Sequence, residues 1–383
     1  MTTLTKTLSQ TFPTRMLRRM GRAVNSLSSQ KNSASSSSVL DSMYAAEVTR
    51  IRRETSRAVT MEFELLDGYR LNYKAGQFVT VCFPVGATYF QRCYSFSSAP
   101  HENRYAITVQ KVFRGRVSGY VQHDLKVGDR IYIDEPEGEF VLPDRHPEDQ
   151  RYVMIAAGAG VVPIYSLVKD LLGKNPVADI QLVYASRNKE QAIFGRELDR
   201  LQRVHEGFSL WSQYTRNELD GHDPFKRLDG ERILTRLADP ASAHMYICGP
   251  YGLVRKCTEG FQKVGIPKSK INIETFNSPP ASSIAKALKP RSLTFLPSSF
   301  LQKPFRTRQQ RVEPLLESAR SAGASIPQRC TVGNCQTCKV KVKSGTVLMD
   351  EPNNLSIEEA QAGYVLSCVS YPCEPVVVKI PGN

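Results

Sequence analysis

Cys330, Cys335 and Cys338, set in one short loop, and a fourth cysteine at Cys368 constrain this chain more than any other feature. If four thiols must converge on one inorganic group, they fix the path of the backbone around it. The C-x4-C-x2-C…C order is the spacing of plant-type 2Fe–2S ligands. Structural zinc sites more often pair their ligands in two knuckles, two to four residues apart. Here three ligands share a loop and the fourth stands alone. Zinc and four ordinary buried thiols are the competing readings. Gly333 allows the loop to bend, and its amides can point at sulfur. The other cysteines (Cys82, Cys93, Cys248, Cys257 and Cys373) are odd in number and irregularly spaced, which does not describe a disulfide framework. A reducing, cytoplasmic compartment suits free thiolates.

Upstream of the cysteines the texture changes twice. From Tyr44 to Leu142, short alternating runs separated by Gly and Pro predict strands at Val59–Leu65, Gly76–Cys82, Tyr105–Gln110 and Asp129–Asp134, hence a small antiparallel barrel or sandwich. From Arg151 onward, apolar runs at Tyr152–Ala157, Ile180–Tyr184 and Met245–Cys248 alternate with helical patterns, one from Ile164 to Gly173 and one from Gln191 to Val204. That order predicts a parallel sheet with helical crossovers. A Pro-, Ser- and Lys-rich stretch then reads as a linker. Strands at Ser292–Leu296, Thr346–Met349 and Val376–Ile380, with a helix at Glu313–Ala322, make up the last domain. The boundaries are 1–43 for a tail, 44–146, 147–278, 279–291 for the linker and 292–383.

The 383-residue chain carries a net charge of +14, and most of it sits in residues 1–45 and 281–329. No nucleic-acid-binding motif accompanies it, so nucleic acid is not an expected partner. In the tail, Phe12, Met16, Leu17, Met20 and Val24 share one helical face and Arg15, Arg18, Arg19 and Arg22 lie largely on the other. Three readings stay open: a membrane-surface foot, a mitochondrial transit peptide, and a solvated tail. No run is long and apolar enough to cross a bilayer.

Three further stretches carry chemistry. In Arg92-Cys93-Tyr94-Ser95 a guanidinium can fork onto phosphate, a ring can stack on a heterocycle, and a hydroxyl can bond a ring nitrogen. Gly115-Arg116-Val117-Ser118 predicts a phosphate seat at a helix start. Gly158-Ala159-Gly160-Val161-Val162-Pro163 follows a strand and opens a helix, the context a dinucleotide loop requires. Ser186 and Arg187 follow the second strand, where an arginine accommodates a 2′-phosphate, and no acid occurs at 185–189; NADPH is therefore expected before NADH. Cys248-Gly249-Pro250 ends a strand on the side where such sheets bind ligands. For each of these, an ordinary surface or buried residue is the alternative.

In this order the motifs resemble the ferredoxin–NADP reductase superfamily, specifically three-domain reductases with a C-terminal plant-type ferredoxin. The resemblance covers about Met43 to the C-terminus. It implies an antiparallel β-barrel for FAD, an α/β parallel-sheet domain for NAD(P)H and a β-grasp 2Fe–2S domain. It also implies electron transfer to a terminal oxygenase, hydroxylase or desaturase protein. By the same resemblance Arg92, Tyr94, Ser95, Gly115, Arg116 and Ser118 serve the flavin. Gly158, Gly160, Pro163, Arg187, Gly249 and Pro250 serve the nucleotide. Glu274-Thr275-Phe276 matches a closing E-x-F motif, which places Glu274 with Ser95 and Cys248 at the reacting atoms and Phe276 at the cofactor. Cys330, Cys335, Cys338 and Cys368 hold the cluster. The family loop reads C-R-x-G-x-C-G-x-C; here Thr331 replaces Arg and Gln336 replaces the second Gly. The surface around Cys338, Asp350 and Glu351 is expected to meet the acceptor.

Overall fold

In the first domain, strands β1 (Tyr44–Thr55), β2 (Ala58–Leu65), β3 (Phe78–Val85), β4 (Thr88–Ser95), β5 (Tyr105–Gln110) and β6 (Arg130–Ile133) form an antiparallel sheet ordered β4-β3-β6-β1-β2-β5. A bridge between Phe96 and Ile107 joins its two outer strands, so the sheet curls on itself as a barrel. Inward positions are apolar: Met61, Phe63, Val79, Val81, Phe83, Phe96 and Ile107 are buried together. Helix α1 (Arg116–His123) caps one end through Val117 and Val121. The computed structural model describes residues 40, 43–86, 88–143, 150–215, 233–237, 240, 242–276, 288–299, 302–333, 335–350, 353 and 355–381. The basic tail segment, the Ser-rich stretch and most of the linker lie outside them.

The second domain is a five-stranded sheet. Strands β7 (Tyr152–Ala157), β8 (Ile180–Ser186), β9 (Phe208–Tyr214), β10 (His244–Gly249) and β11 (Ile271–Thr275) are ordered β11-β10-β7-β8-β9, and every pairing is parallel. Helix α2 (Val161–Lys174) covers one face, with α3 (Gly195–Val204) beyond it; α4 (Tyr251–Lys263) covers the other. Both faces are therefore buried. Tyr152, Met154 and Ala156 point to one core and Val153 and Ile155 to the other, which is why this strand reads as an unbroken apolar run. Strand order reverses between β7 and β10, and the crevice beyond their carboxyl ends is where such sheets take ligands.

In the last domain β12 (Ser292–Leu296), β13 (Phe305–Arg308), β14 (Lys339–Ser344), β16 (Tyr364–Leu366) and β18 (Val376–Lys379) form a mixed sheet ordered β13-β12-β18-β14-β16. β15 (Val347–Met349) and β17 (Ser370–Pro372) pair separately. The first and last strands run parallel side by side, and α5 (Leu315–Ser321) packs Leu315, Leu316 and Ala319 on the sheet, a β-grasp arrangement. A second short helix, α6 (Ile357–Gln361), starts with a capping box between Ser356 and Glu359.

No helix among the described residues is long and apolar enough to cross a membrane.

Candidate functional site

Strand β4 ends at Ser95 against the open end of the parallel sheet. The Ser95 hydroxyl donates to Glu274 Oε2 at 3.2 Å, and the Cys248 thiol donates to the same oxygen at 3.9 Å. All three side chains are buried. Glu274 comes from β11 and Cys248 from β10, paired opposite each other in register. Burial pushes the Glu274 carboxyl up to about 8, against the pull of hydrogen bonds from Ser95 and Cys248. Burial, reinforced by Glu274, raises the Cys248 thiol well above its ordinary value. At neutral pH the group is therefore a protonated carboxyl between a hydroxyl and a thiol, with no net charge.

The glycine loop lies beside this group. Gly158 is left-handed, with φ +55, and a side chain there would meet only the Gln110 side chain at ordinary contact distance, whereas one on Gly160 would sit 2.1 Å from the Cys248 carbonyl oxygen. Gly160 thus lets the loop touch β10, and Gly158 supplies the left-handed turn. Pro163 falls in the first turn of α2, where a missing amide hydrogen costs nothing. The Tyr184 hydroxyl donates to the Gly158 carbonyl at 3.4 Å and accepts from the Ile193 amide at 3.0 Å, a support that sequence reading missed. Gly249 packs against Ala157, and Pro250 caps α4. Phe276 is exposed just past β11. Arg187 is exposed beyond the end of β8, apart from the buried trio, while Ser186 bonds the Asn188 carbonyl.

Along β4, Phe90, Arg92 and Tyr94 share one face. Arg92 is exposed, and the Arg116 guanidinium lies 5.8 Å from the Phe90 ring, so both arginines border one surface. Tyr94 packs edge-on against Phe83. Gly115 caps α1; the Ser118 hydroxyl beneath it accepts from the Val112 amide at 3.1 Å and donates to the Gly115 carbonyl at 3.3 Å. The helix start carrying Arg116 can hold a phosphate, whereas Ser118 shapes the turn.

The four clustered cysteines group as two pairs. The Cys330 amide points at Cys335 Sγ (3.4 Å), the Cys335 amide at Cys330 Sγ (3.3 Å), and Cys338 and Cys368 bring their sulfurs to 3.2 Å. A thiol hydrogen bond from Cys330 pulls Cys335 below its ordinary value, and Cys368 likewise lowers Cys338. Two sulfur pairs with amides aimed at sulfur fit a two-iron group, which takes two thiolates per iron. Among the described residues no three His, Cys, Asp or Glu side chains converge as a single ion would require.

Gln336 has φ +57, the left-handed backbone that explains a glycine in the family loop; Thr331 shares it, also at +57. Gln336→Gly is expected to raise holoprotein stability by about 1 kcal/mol by relieving this strain. A melting temperature that stays level or falls would mean that the Gln336–Lys339 contact outweighs it.

Asp350 is only 4% exposed and Cys338 3%, so neither side chain itself lies on the surface expected to meet the acceptor. Glu351 lies outside the described residues. Sequence reading also missed Arg329, whose carboxylate partners lie in a domain far upstream; no local pattern signals it.

Comparison with known proteins agrees with this layout. The family model of the oxidoreductase FAD-binding domain matches residues 45–142, that of the oxidoreductase NAD-binding domain residues 154–259, and that of the 2Fe-2S iron-sulfur cluster binding domain residues 302–373. The chain is 28% identical to the glycine betaine monooxygenase reductase subunit of Chromohalobacter salexigens, over 80% of this chain and 87% of that one. It is 28% identical to the ferredoxin reductase component of 3-ketosteroid-9-alpha-monooxygenase from Mycolicibacterium smegmatis, over 85% and 93%. The structure of phthalate dioxygenase reductase superposes with a TM-score of 0.59 at 23% identity, covering 89% of this chain and 98% of that one; this likeness concerns the fold.

Proposed function

We infer that this chain, a three-domain reductase of the ferredoxin–NADP reductase superfamily, takes electrons from NAD(P)H through FAD and a 2Fe–2S cluster to a terminal oxygenase, hydroxylase or desaturase protein. The observation that carries the reading is the meeting of Ser95 with Glu274 and Cys248 at the mouth of a parallel sheet, in a chain that also holds a thiol quartet. Relatives named as oxygenase reductase components support the acceptor class.

When bound, the flavin supplies the conversion between a two-electron hydride donor and a one-electron acceptor. The chain's own residues position and insulate. Arg92 and Arg116 would neutralise the flavin pyrophosphate, with the amides at the start of α1 adding donors. Tyr94 would back the ring system. Gly158 gives the loop its left-handed turn, Gly160 and Gly249 let the loop and β7 pack close to β10, and the start of α2 would face the phosphates of the dinucleotide. Glu274 stays protonated while it accepts from Ser95 Oγ and Cys248 Sγ, so no fixed negative charge opposes hydride arrival. Cys330, Cys335, Cys338 and Cys368 would hold the cluster.

Anaerobic titration of the purified holoprotein with NADPH tests the reading. Flavin absorbance should bleach and the electron paramagnetic resonance signal of a reduced 2Fe–2S cluster should appear with it. Bleached flavin beside a permanently oxidised cluster would sink the proposal.

Arg187 carries the nucleotide preference in this reading. Arg187→Ala should raise KM for NADPH about tenfold or more through loss of a charge-assisted phosphate contact, with KM for NADH little changed. Equal effects on both nucleotides would assign Arg187 another role.

A further inference from the structure

We propose that Arg329 is a positioning residue for internal electron transfer: bridging Asp134 and Glu137, it holds the cysteine loop against the strand that carries Arg92 and Tyr94. Arg329 immediately precedes Cys330. Its Nη1 lies 2.9 Å from Asp134 Oδ2 and its Nε 3.2 Å from Glu137 Oε1. The Arg329 side chain is 19% exposed and that of Asp134 18%, so solvent screens the contact weakly. A planar guanidinium engaging two carboxylates through different nitrogens fixes orientation as well as distance, which a lysine could not do.

The two acids are themselves held rigidly. The Asp134 amide donates to the Thr80 carbonyl, and Glu137 and Phe78 exchange both backbone hydrogen bonds. Phe78 and Thr80 belong to β3, where they pair with Ser95 and Cys93 of β4. The guanidinium is therefore tied, through one strand, to the backbone of the flavin motif. Cys93 stands on the β4 face opposite Arg92 and Tyr94, shares a 3.5 Å contact with the Thr80 hydroxyl, and is within electrostatic reach of both Cys335 and Arg329. The cysteine loop thus approaches β4 from behind the residues assigned to the flavin.

The flavin and nucleotide domains are bound by many other contacts, among them Ser166 Oγ to the Ser98 carbonyl, Tyr246 Oη to the Val141 carbonyl, and the Lys169–Glu102 ion pair. These do not involve Arg329, so its loss need not disturb hydride transfer. Removing it would leave Asp134 and Glu137 as neighbouring carboxylates facing the loop with that cation gone, which disfavours the docked position.

The role assigned to Arg329 rests on the proposed electron route. The step moves one electron from reduced flavin to oxidised cluster, with NADPH as the source and no bond made or broken. Stopped-flow mixing of NADPH with holoprotein separates the two events. In Arg329→Gln, and in the double variant Asp134→Asn with Glu137→Gln, flavin reduction should keep its wild-type rate. Cluster reduction should slow about tenfold or more, the size of one coupled ion-pair interaction. Cluster content and the midpoint potentials of both centres should be unchanged. Arg329→Glu combined with Asp134→Arg should recover part of the lost rate.

Unchanged cluster reduction in both variants overturns the proposal. If Arg329→Gln fails to retain its cluster, the Asp134/Glu137 variant decides, since it leaves the cysteine loop intact. If wild-type flavin bleaches and its cluster stays oxidised, the electron route itself is wrong and the proposal falls with it.

Discussion

Cys338→Ala is expected to abolish electron delivery to a protein acceptor, by about 100-fold or more, while NADPH continues to reduce a small soluble dye at near the wild-type rate. Cys338 is 3% exposed, and its sulfur lies 3.2 Å from that of Cys368. Alanine leaves one member of that pair without its partner and leaves three thiolates where a two-iron cluster needs four. The cluster's visible bands and resonance signal should vanish. The Ser95–Glu274–Cys248 group lies in other domains and should be untouched, so dye reduction is the internal control. Should acceptor turnover survive loss of the cluster, the flavin would be delivering electrons directly and the cysteine domain would be accessory.

Glu274→Gln gives the second large effect. The wild-type carboxyl, raised to about 8 by burial, stays protonated through neutral pH. As pH climbs through 8 it ionises, and a buried negative charge appears where hydride must arrive. Flavin reduction by NADPH should therefore fall above pH 8 in the wild type. Gln keeps the shape and carries no titrating proton, so that inflection should disappear. Below pH 8 its rate should stay near the wild-type value, and well above pH 8 it should exceed the wild-type rate about tenfold or more, because only the wild-type carboxyl ionises there. Stability follows the same group. The folded carboxyl binds its proton more tightly than an unfolded glutamate, so its contribution is complete below about pH 4.5 and is lost as pH rises toward 8. That loss is on the order of a few kcal/mol, and Gln should flatten it. An unaltered pH profile in Glu274→Gln would show that another group governs the reaction.

The cysteine spacing, the glycine turn and the R-x-Y-S string were legible because each is a local signal with a local physical cause. So was the alternation of strand and helix behind the parallel sheet. β1 escaped because its pairing with β2 slips twice, between Val48 and Arg50 and between Arg53 and Thr55. Each slip breaks the two-residue period that marks a strand, and Arg50, Arg52 and Arg53 fall within the disrupted stretch. β9 escaped for a different reason: as the edge strand it is buried chiefly at Phe208 and carries little pattern. The partnership of Ser95 with Glu274 was readable only through family resemblance, since no sequence period connects residues in separate domains. The burial of Asp350 could not be read at all, because an acid beside a turn ordinarily signals solvent.

Strand β4 is also a constraint on change. Its alternation sets Arg92 and Tyr94 on one side and Cys93 on the other, and its pairing with β3 runs unbroken from Thr88 to Ser95. Inserting or deleting one residue there would exchange the two sides. The cofactor-facing residues and the loop-facing thiol would be misdirected in a single event, with Ser95 carried away from Glu274. The turn at Asp67 and Gly68, exposed and open, tolerates the same insertion without either loss. Length variation in relatives of this chain should thus collect in such turns and spare these eight residues.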